Sequence, residues 1–413
     1  MSQLFAARPL LMMLALLFYF TLILVACFAG IRAKILSLLI SSDATHVAPQ
    51  IVSLDSVRGL AALAIATAHT WGWLYPETSS LQDRFPDVGR LGEAVAVFCV
   101  LSGFVVYRSL VYTGLTHSSD LFWYLKRRFF RIYPLFFITT VISFFFVQIR
   151  PQETLQTFFS ELSLFHFLGH PSVTNPPSWS IHVEIMFYLL IPLYFIVTRP
   201  HSLPWAIFAC FAATFIGFPG PLSRELMLLK YFALGILLVE ILPFADRVAF
   251  FAKWYTLAAC LGLSFLLFWV DWLTPLFYQF TALIGLPITL HGDMGYTLST
   301  GVAAFLLFFV LLKWKPLQAV IGFLPLRILG VVSYSIYLTH PLLLVAGTPI
   351  RFDGVAGILN SPLTQPQIVT GWASYVFIYL PSIVMLAVLS YVTVERPFLL
   401  LGRKKIAGLE CRG

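Results

Sequence analysis

Apolar runs of roughly 17 to 25 residues recur along the whole chain, the length a helix needs to cross about 30 Å of hydrocarbon. They fall near 9–31, 51–75, 91–112, 132–149, 178–198, 203–219, 227–242, 254–273, 296–312, 327–346 and 372–395, eleven in all. Lipid offers no hydrogen bonds to the backbone, so only helices and closed barrels can span it; continuous rather than alternating runs select helices. The expected fold is therefore all-α, a polytopic integral membrane bundle of about eleven transmembrane helices. With 59% hydrophobic residues over 413 positions and a mean hydropathy of +0.89, a soluble domain is excluded. The stretch 275–290 reads as re-entrant or interfacial, and the boundaries within 210–245 are weakly marked.

The net charge of +8 reflects topology rather than a nucleic-acid partner. When the runs alternate across a bilayer, one side collects Arg32, Lys34, Arg108, the Lys126–Arg131 cluster, Lys313, Lys315 and Arg396, among others. The opposite side keeps few, such as Arg84, Arg90 and Arg150. By the positive-inside rule the basic side is cytoplasmic, so the N-terminus lies outside and the C-terminus inside, in the cell (inner or plasma) membrane. The first run lacks the polar stretch that precedes a cleavage site and reads as a retained helix, not a signal peptide. Residues 1–50 are taken as an extra N-terminal helix with a cytoplasmic linker, 51–400 as one membrane domain with ten helices, and 401–413 as a basic tail. Five scattered cysteines and nine histidines without an HExxH spacing suggest neither a disulfide framework nor a metal.

Ionisable groups inside such runs are expensive and mark pathways or reaction sites. Arg58 and His69 are separated by small or apolar residues from Gly59 to Ala68. Eleven helical steps of about 100° come within about 20° of three turns, so the two share one face about 16 Å apart. On their own helices, Glu184 and His340 fall at the level of His69, toward the outer leaflet. Arg58 falls toward the inner side, near Lys126-Arg127-Arg128-Phe129-Phe130-Arg131. Plainer readings exist: His340 satisfying a backbone carbonyl or a neighbouring helix, Glu184 pairing with His182, the basic run serving topology alone. Trp71, Trp73 and Tyr75 sit where an aromatic belt is expected.

Six segments carry a resemblance. Leu54-Asp55-Ser56-Val57-Arg58-Gly59-Leu60-Ala61-Ala62 followed by His69 resembles the opening of membrane acyltransferase family 3, whose hallmark is Arg, ten residues, His. Val97 to Phe104 resembles its FFxLSGF element, Arg127 to Pro134 its RRxxRIYP element, and Trp179 to Tyr188 its WSLxxExxFY element. Ser333 to Pro341 resembles SYSxYLxHxP, and Val394 to Phe398 the closing ExPF. The matches keep the family's order over about residues 51–400. His182 and Ile185 depart from the pattern, where Ser and a second Glu are common.

The resemblance implies transfer of an acyl group, commonly acetyl, from cytoplasmic acyl-CoA to a hydroxyl of an extracytoplasmic glycan or lipid-linked saccharide. Acyl-CoA is then a co-substrate, and no permanently bound cofactor is expected. His69 inherits the catalytic role, and Arg58 and Arg131 are linked to the donor. On physical grounds Arg127 and Arg128 add phosphate-binding guanidiniums to a basic mouth. His69 is read as general base on the acceptor hydroxyl, with Glu184 orienting its ring. Ser102, Tyr133 and Tyr337 are candidate oxyanion donors, and Trp179 and His340 complete the binding set. A transporter or flippase for a lipid-linked sugar or acyl compound is the competing class; the half-chain symmetry it predicts is not visible. A non-catalytic envelope scaffold is a third.

Overall fold

The computed structural model describes residues 9–27, 29–39, 51–74, 86–147, 154–163, 174–198, 202–215, 227–283, 297–346 and 375–402. Among these the chain is helical throughout, without a strand. The elements are α1 (Pro9–Cys27), α2 (Ala29–Leu39), α3 (Val52–Leu74), α4 (Val95–Thr113), α5 (Ser118–Ile142), α6 (Leu155–Leu162), α7 (Ser178–Thr198), α8 (Leu203–Phe215) and α9 (Leu229–Arg247). They continue as α10 (Trp254–Trp269), α11 (Leu273–Leu283), α12 (Leu298–Lys313), α13 (Lys315–Ile321), α14 (Leu324–Val331), α15 (Ser333–Ala346), α16 (Leu380–Ser390) and α17 (Arg396–Leu401).

Helices occupy all eleven expected positions, but they are not eleven uniform spans. Among the described residues, four continuous helices are long and apolar enough to cross a membrane: Val88–Thr113, Ser118–Phe145, Ser178–Thr198 and Tyr375–Leu401. Counting bent pairs raises this to six, with α12 and α13 meeting at 104° and α14 and α15 at 70°. Hydropathy registers the apolar run and not the bend within it. α5 likewise begins well before its expected start at 132. Its first turn is closed by the Asp120 carboxylate, which accepts from the backbone N–H of His117 at 3.0 Å and of Thr116 at 3.2 Å. The basic cluster Lys126–Arg131 is therefore inside a helix rather than in the loop before it. Outward faces are apolar, as lipid requires: Leu189, Leu190, Leu193, Ile196 and Val197 on α7 are all exposed. The apolar helices and the lipid-compatible exterior are those of a membrane protein.

Small residues set the packing. Lipid gives helices no hydrophobic reason to associate, so close backbone approach at glycine supplies much of the contact. A Cβ on Gly103 of α4 would lie 2.2 Å from the carbonyl oxygen of Phe232, and one on Gly235 of α9 would lie 2.2 Å from that of Val100. These reciprocal glycines let α4 and α9 meet backbone to backbone. Gly103→Ala must part them and is expected to cost about 1–3 kcal/mol of stability, or to block folding. Thermal unfolding in detergent checks this against Gly262→Ala, where an added Cβ meets nothing within 4 Å.

α3 stands between two apolar clusters. Leu54, Val57, Ala61 and Ile65 join the larger one with α4, α7 and α9, whereas Ala62 and Ala66 join the second with α15 and α16. At about 100° per residue, Arg58 and His69 both fall at the seam between these faces. α1 packs on the far side of the second cluster, where the Tyr19 hydroxyl donates to the Phe377 carbonyl at 3.1 Å. The 403–413 tail, Tyr75 and the side chains of Trp71 and Trp73 lie outside the described residues.

Candidate active site

The shared face expected for Arg58 and His69 is what the neighbouring helix sees. Both side chains reach α14–α15: Arg58 Nε donates to Ser333 Oγ at 2.9 Å, and His69 Nδ1 lies 2.9 Å from His340 Nε2. The two imidazoles are nearly parallel, 24° apart with centroids at 5.1 Å. His340 is fully buried, and its Nδ1 lies 3.1 Å from the Ile336 carbonyl one turn back on its own helix. His69 is less completely buried than its partner. His340 thus fills both plain roles at once, bonding a carbonyl and a neighbouring helix.

Arg58 owes its position to two glycines. A Cβ on Gly330 would lie 2.1 Å from the Asp55 carbonyl oxygen, and one on Gly59 would lie 2.5 Å from the Gly330 nitrogen. With neither present, α3 and α14 touch backbone to backbone, and an Arg58 Nη donates to the Gly330 carbonyl at 3.1 Å. Asp55, one turn earlier, pairs with the same guanidinium at 3.1 Å.

Arg58 borders a cavity of about 110 Å³ whose walls also include Arg128, Arg131, Glu184, Ser102, Ser180, Tyr188, Tyr334 and Tyr337. Arg131 pairs at 3.0 Å with Glu395, a buried carboxylate that accepts from Ser335 Oγ at 2.8 Å. Arg128 is held differently. Its guanidinium lies over the rings of Tyr188 at 5.1 Å and Tyr124 at 5.5 Å, and its Nε has no hydrogen-bond partner among the described residues. Apart from Ser333, the rest of the wall is apolar, with Val95, Phe98, Leu101, Val105 and Phe232 among its residues. At one end Tyr337 bonds Ser180 at 2.7 Å, and the Tyr337 ring lies 6.2 Å from that of His340. The site is thus a cationic, largely apolar chamber with an imidazole pair beyond its tyrosine wall.

Of the residues singled out in the sequence, Arg58, Ser102, Arg128, Arg131, Glu184 and Tyr337 share this chamber, and His69 and His340 form the pair. Glu184 is not beside His69 as its depth suggested. Its carboxylate accepts from Ser102 Oγ at 3.2 Å and from the Tyr188 hydroxyl one turn deeper on α7, among the guanidiniums. Three residues stand apart from the chamber wall. Arg127 abuts Gly402, Tyr133 stacks on Phe129 at 4.8 Å and donates to the Leu162 carbonyl at 3.4 Å, and Trp179 packs against the core. Their helices carry them round to other faces, which a basic or aromatic motif does not reveal. Sequence reasoning gave no role to Glu395, the counter-ion of Arg131. Its signal was available, a lone carboxylate in the last apolar run.

The chamber thus joins guanidiniums and an apolar wall to a neighbouring imidazole pair. Comparison with known proteins narrows this chemistry. A family model described as an acyltransferase domain matches residues 51–392, from the start of α3 into the last long span. The chain belongs to acyltransferase family 3. The matched family is described by its acyltransferase domain. A curated relative, acyltransferase MdmB of Streptomyces mycarofaciens, is 32% identical over 187 residues, covering 41% of this chain and 47% of that protein. The chain thus matches about half the length of that relative. No solved structure matches it. Within the family match lie the glycine-seated Arg58, the imidazole pair and the arginine chamber, whereas Glu395 falls just beyond its end.

Proposed function

We propose that this family member is an acyltransferase that moves an acetyl group from cytoplasmic acetyl-CoA to a hydroxyl of an extracytoplasmic glycan or lipid-linked saccharide. In this reading the helices form eleven passes through the cell (inner or plasma) membrane, with the N-terminus outside and the C-terminus in the cytosol, as the Lys/Arg distribution favours. The observation that carries the proposal is the pairing of a guanidinium chamber with a hydrogen-bonded imidazole pair, Arg58 and His69 sharing one helix face. The phosphates of the donor suit planar guanidiniums, and Arg128, stacked but not ion-paired with a described carboxylate, is the charge most available to them. Its uncharged pantetheine arm suits the apolar wall leading to Tyr337.

The acceptor hydroxyl loses its proton to His69 as its oxygen attacks the thioester carbonyl. The C–S bond then breaks, and the departing thiolate takes that proton from His69 to leave as the free thiol of coenzyme A. Ser102 and Tyr337, two of the hydroxyls in the chamber wall, are the candidate donors to the oxyanion. Glu184 accepts the Ser102 proton until that hydroxyl turns to the oxyanion, and it offsets the charge of Arg58 and Arg131.

The test compares envelope polysaccharides and glycolipids of cells with and without the protein by mass spectrometry. A family of species heavier by one acetyl unit, present only with the protein, is the expected result. Identical masses in the two cultures, with a labelled sugar lipid crossing vesicles without acetyl-CoA consumption, would instead support the transporter reading.

A further inference from the structure

The imidazole pair carries information about which nitrogen does the chemistry. A backbone carbonyl only accepts, so the 3.1 Å contact with Ile336 requires the proton of neutral His340 to sit on Nδ1. Its Nε2 is then a bare lone pair. Across the 2.9 Å contact that lone pair must accept from His69, so the proton of neutral His69 sits on its own Nδ1. By elimination the lone pair of His69 is on Nε2, the nitrogen for which the described residues supply no partner.

We infer that His340 is a positioning residue that fixes the tautomer and ring plane of His69, leaving His69 Nε2 as the atom that takes the acceptor's proton. This rests on the acyl-transfer reading above and replaces the carboxylate orienter expected from sequence with a second imidazole. Burial gives the device its rigidity. His340 is fully enclosed, anchored one turn back on α15, and followed by Pro341, which lacks the N–H that would otherwise bond the Tyr337 carbonyl. When His69 becomes an imidazolium, its Nδ1–H already points at an acceptor. The proton can shift along that bond, leaving His340 protonated on both nitrogens and His69 neutral, and it returns by the same bond before the thiolate is protonated.

Two amide replacements separate positioning from mere filling of space. In His340→Gln the longer amide reaches the place of the native Nε2 and presents an oxygen to His69 Nδ1–H. In His340→Asn the shorter amide reaches only the place of the native Nδ1 and leaves that N–H unpaired. The full-length chain is placed in inverted membrane vesicles, and radiolabelled acetyl-CoA is followed into the glycolipid and polysaccharide fraction. His340→Asn is expected to lower kcat about 100-fold or more with the KM for acetyl-CoA unchanged, whereas His340→Gln stays within about tenfold of wild type. Equal losses in both variants, unchanged rates in both, or a change confined to KM would overturn the inference. His69→Ala in the same vesicles distinguishes the two levels. If it is inactive while His340→Asn is normal, the positioning role fails and the base survives; if it is active, the base assignment itself fails.

Discussion

Replacing His69 with alanine is expected to lower acetyl transfer by about 10³-fold, within the range a positioned general base supplies. The same variant is expected to insert, fold and bind acetyl-CoA with an affinity close to wild type. The reason is spatial. His69 lies outside the walls of the arginine chamber, and the contact it loses is the one with His340. That loss leaves a buried acceptor nitrogen unpaired, a penalty of about 1–3 kcal/mol, which the rest of the bundle can absorb. Incorporation of label from acetyl-CoA gives the rate, isothermal titration with coenzyme A gives the affinity, and gel filtration in detergent gives the fold. Wild-type incorporation in His69→Ala would remove the base from the mechanism. Lost coenzyme A affinity would instead mean that the imidazole holds the donor.

The features legible in the sequence are those that obey a single helix's geometry. Arg58 and His69 could be placed on one face because both lie on α3 and its period is known; their two contacts to α15 agree. The apolar runs located every expected helix, because hydrocarbon thickness imposes a length. What escaped depends on how one helix meets another. The partner of His69 proved to be His340 rather than Glu184, since tilt decides which of three groups at similar depth come within bonding distance. The sharp bends at Val332 and Trp314 escaped because α14–α15 and α12–α13 are each one continuous apolar stretch. Gly59 and Gly103 were recognised as letters of motifs, but their reason is steric and lies on other helices, at Gly330 and Phe232. Arg127, Arg128 and Arg131 look equivalent in a basic run, yet consecutive side chains on α5 point about 100° apart, and the chamber takes the last two.

The other large effect is expected at the ion pair between Arg131 and Glu395. The Glu395 carboxylate is shut off from solvent, and the Arg131 guanidinium is largely so. Removing one partner of a buried pair leaves the other charged and uncompensated, at a cost of about 3–5 kcal/mol. Glu395→Leu should therefore unfold at a markedly lower temperature, and Arg131→Leu should do likewise. Replacing both removes both desolvation penalties together, so Arg131→Leu/Glu395→Leu is expected to recover most of the lost stability. Activity should behave differently. If Arg131 contacts the donor as well as Glu395, the stable double variant still lacks one guanidinium of the chamber, and its KM for acetyl-CoA stays high. Thermal unfolding and donor titration on all three variants separate the two roles. A double variant that is stable and has a normal KM would reduce Arg131 to a strut between α5 and the π-turn Tyr391–Glu395 that precedes α17, and would leave Arg58 and Arg128 as the donor's cations. A double variant no more stable than the singles would mean that the desolvation argument fails here. The Ser335 hydroxyl that also bonds Glu395 would then be the place to look, because its loss of an acceptor is the remaining buried penalty.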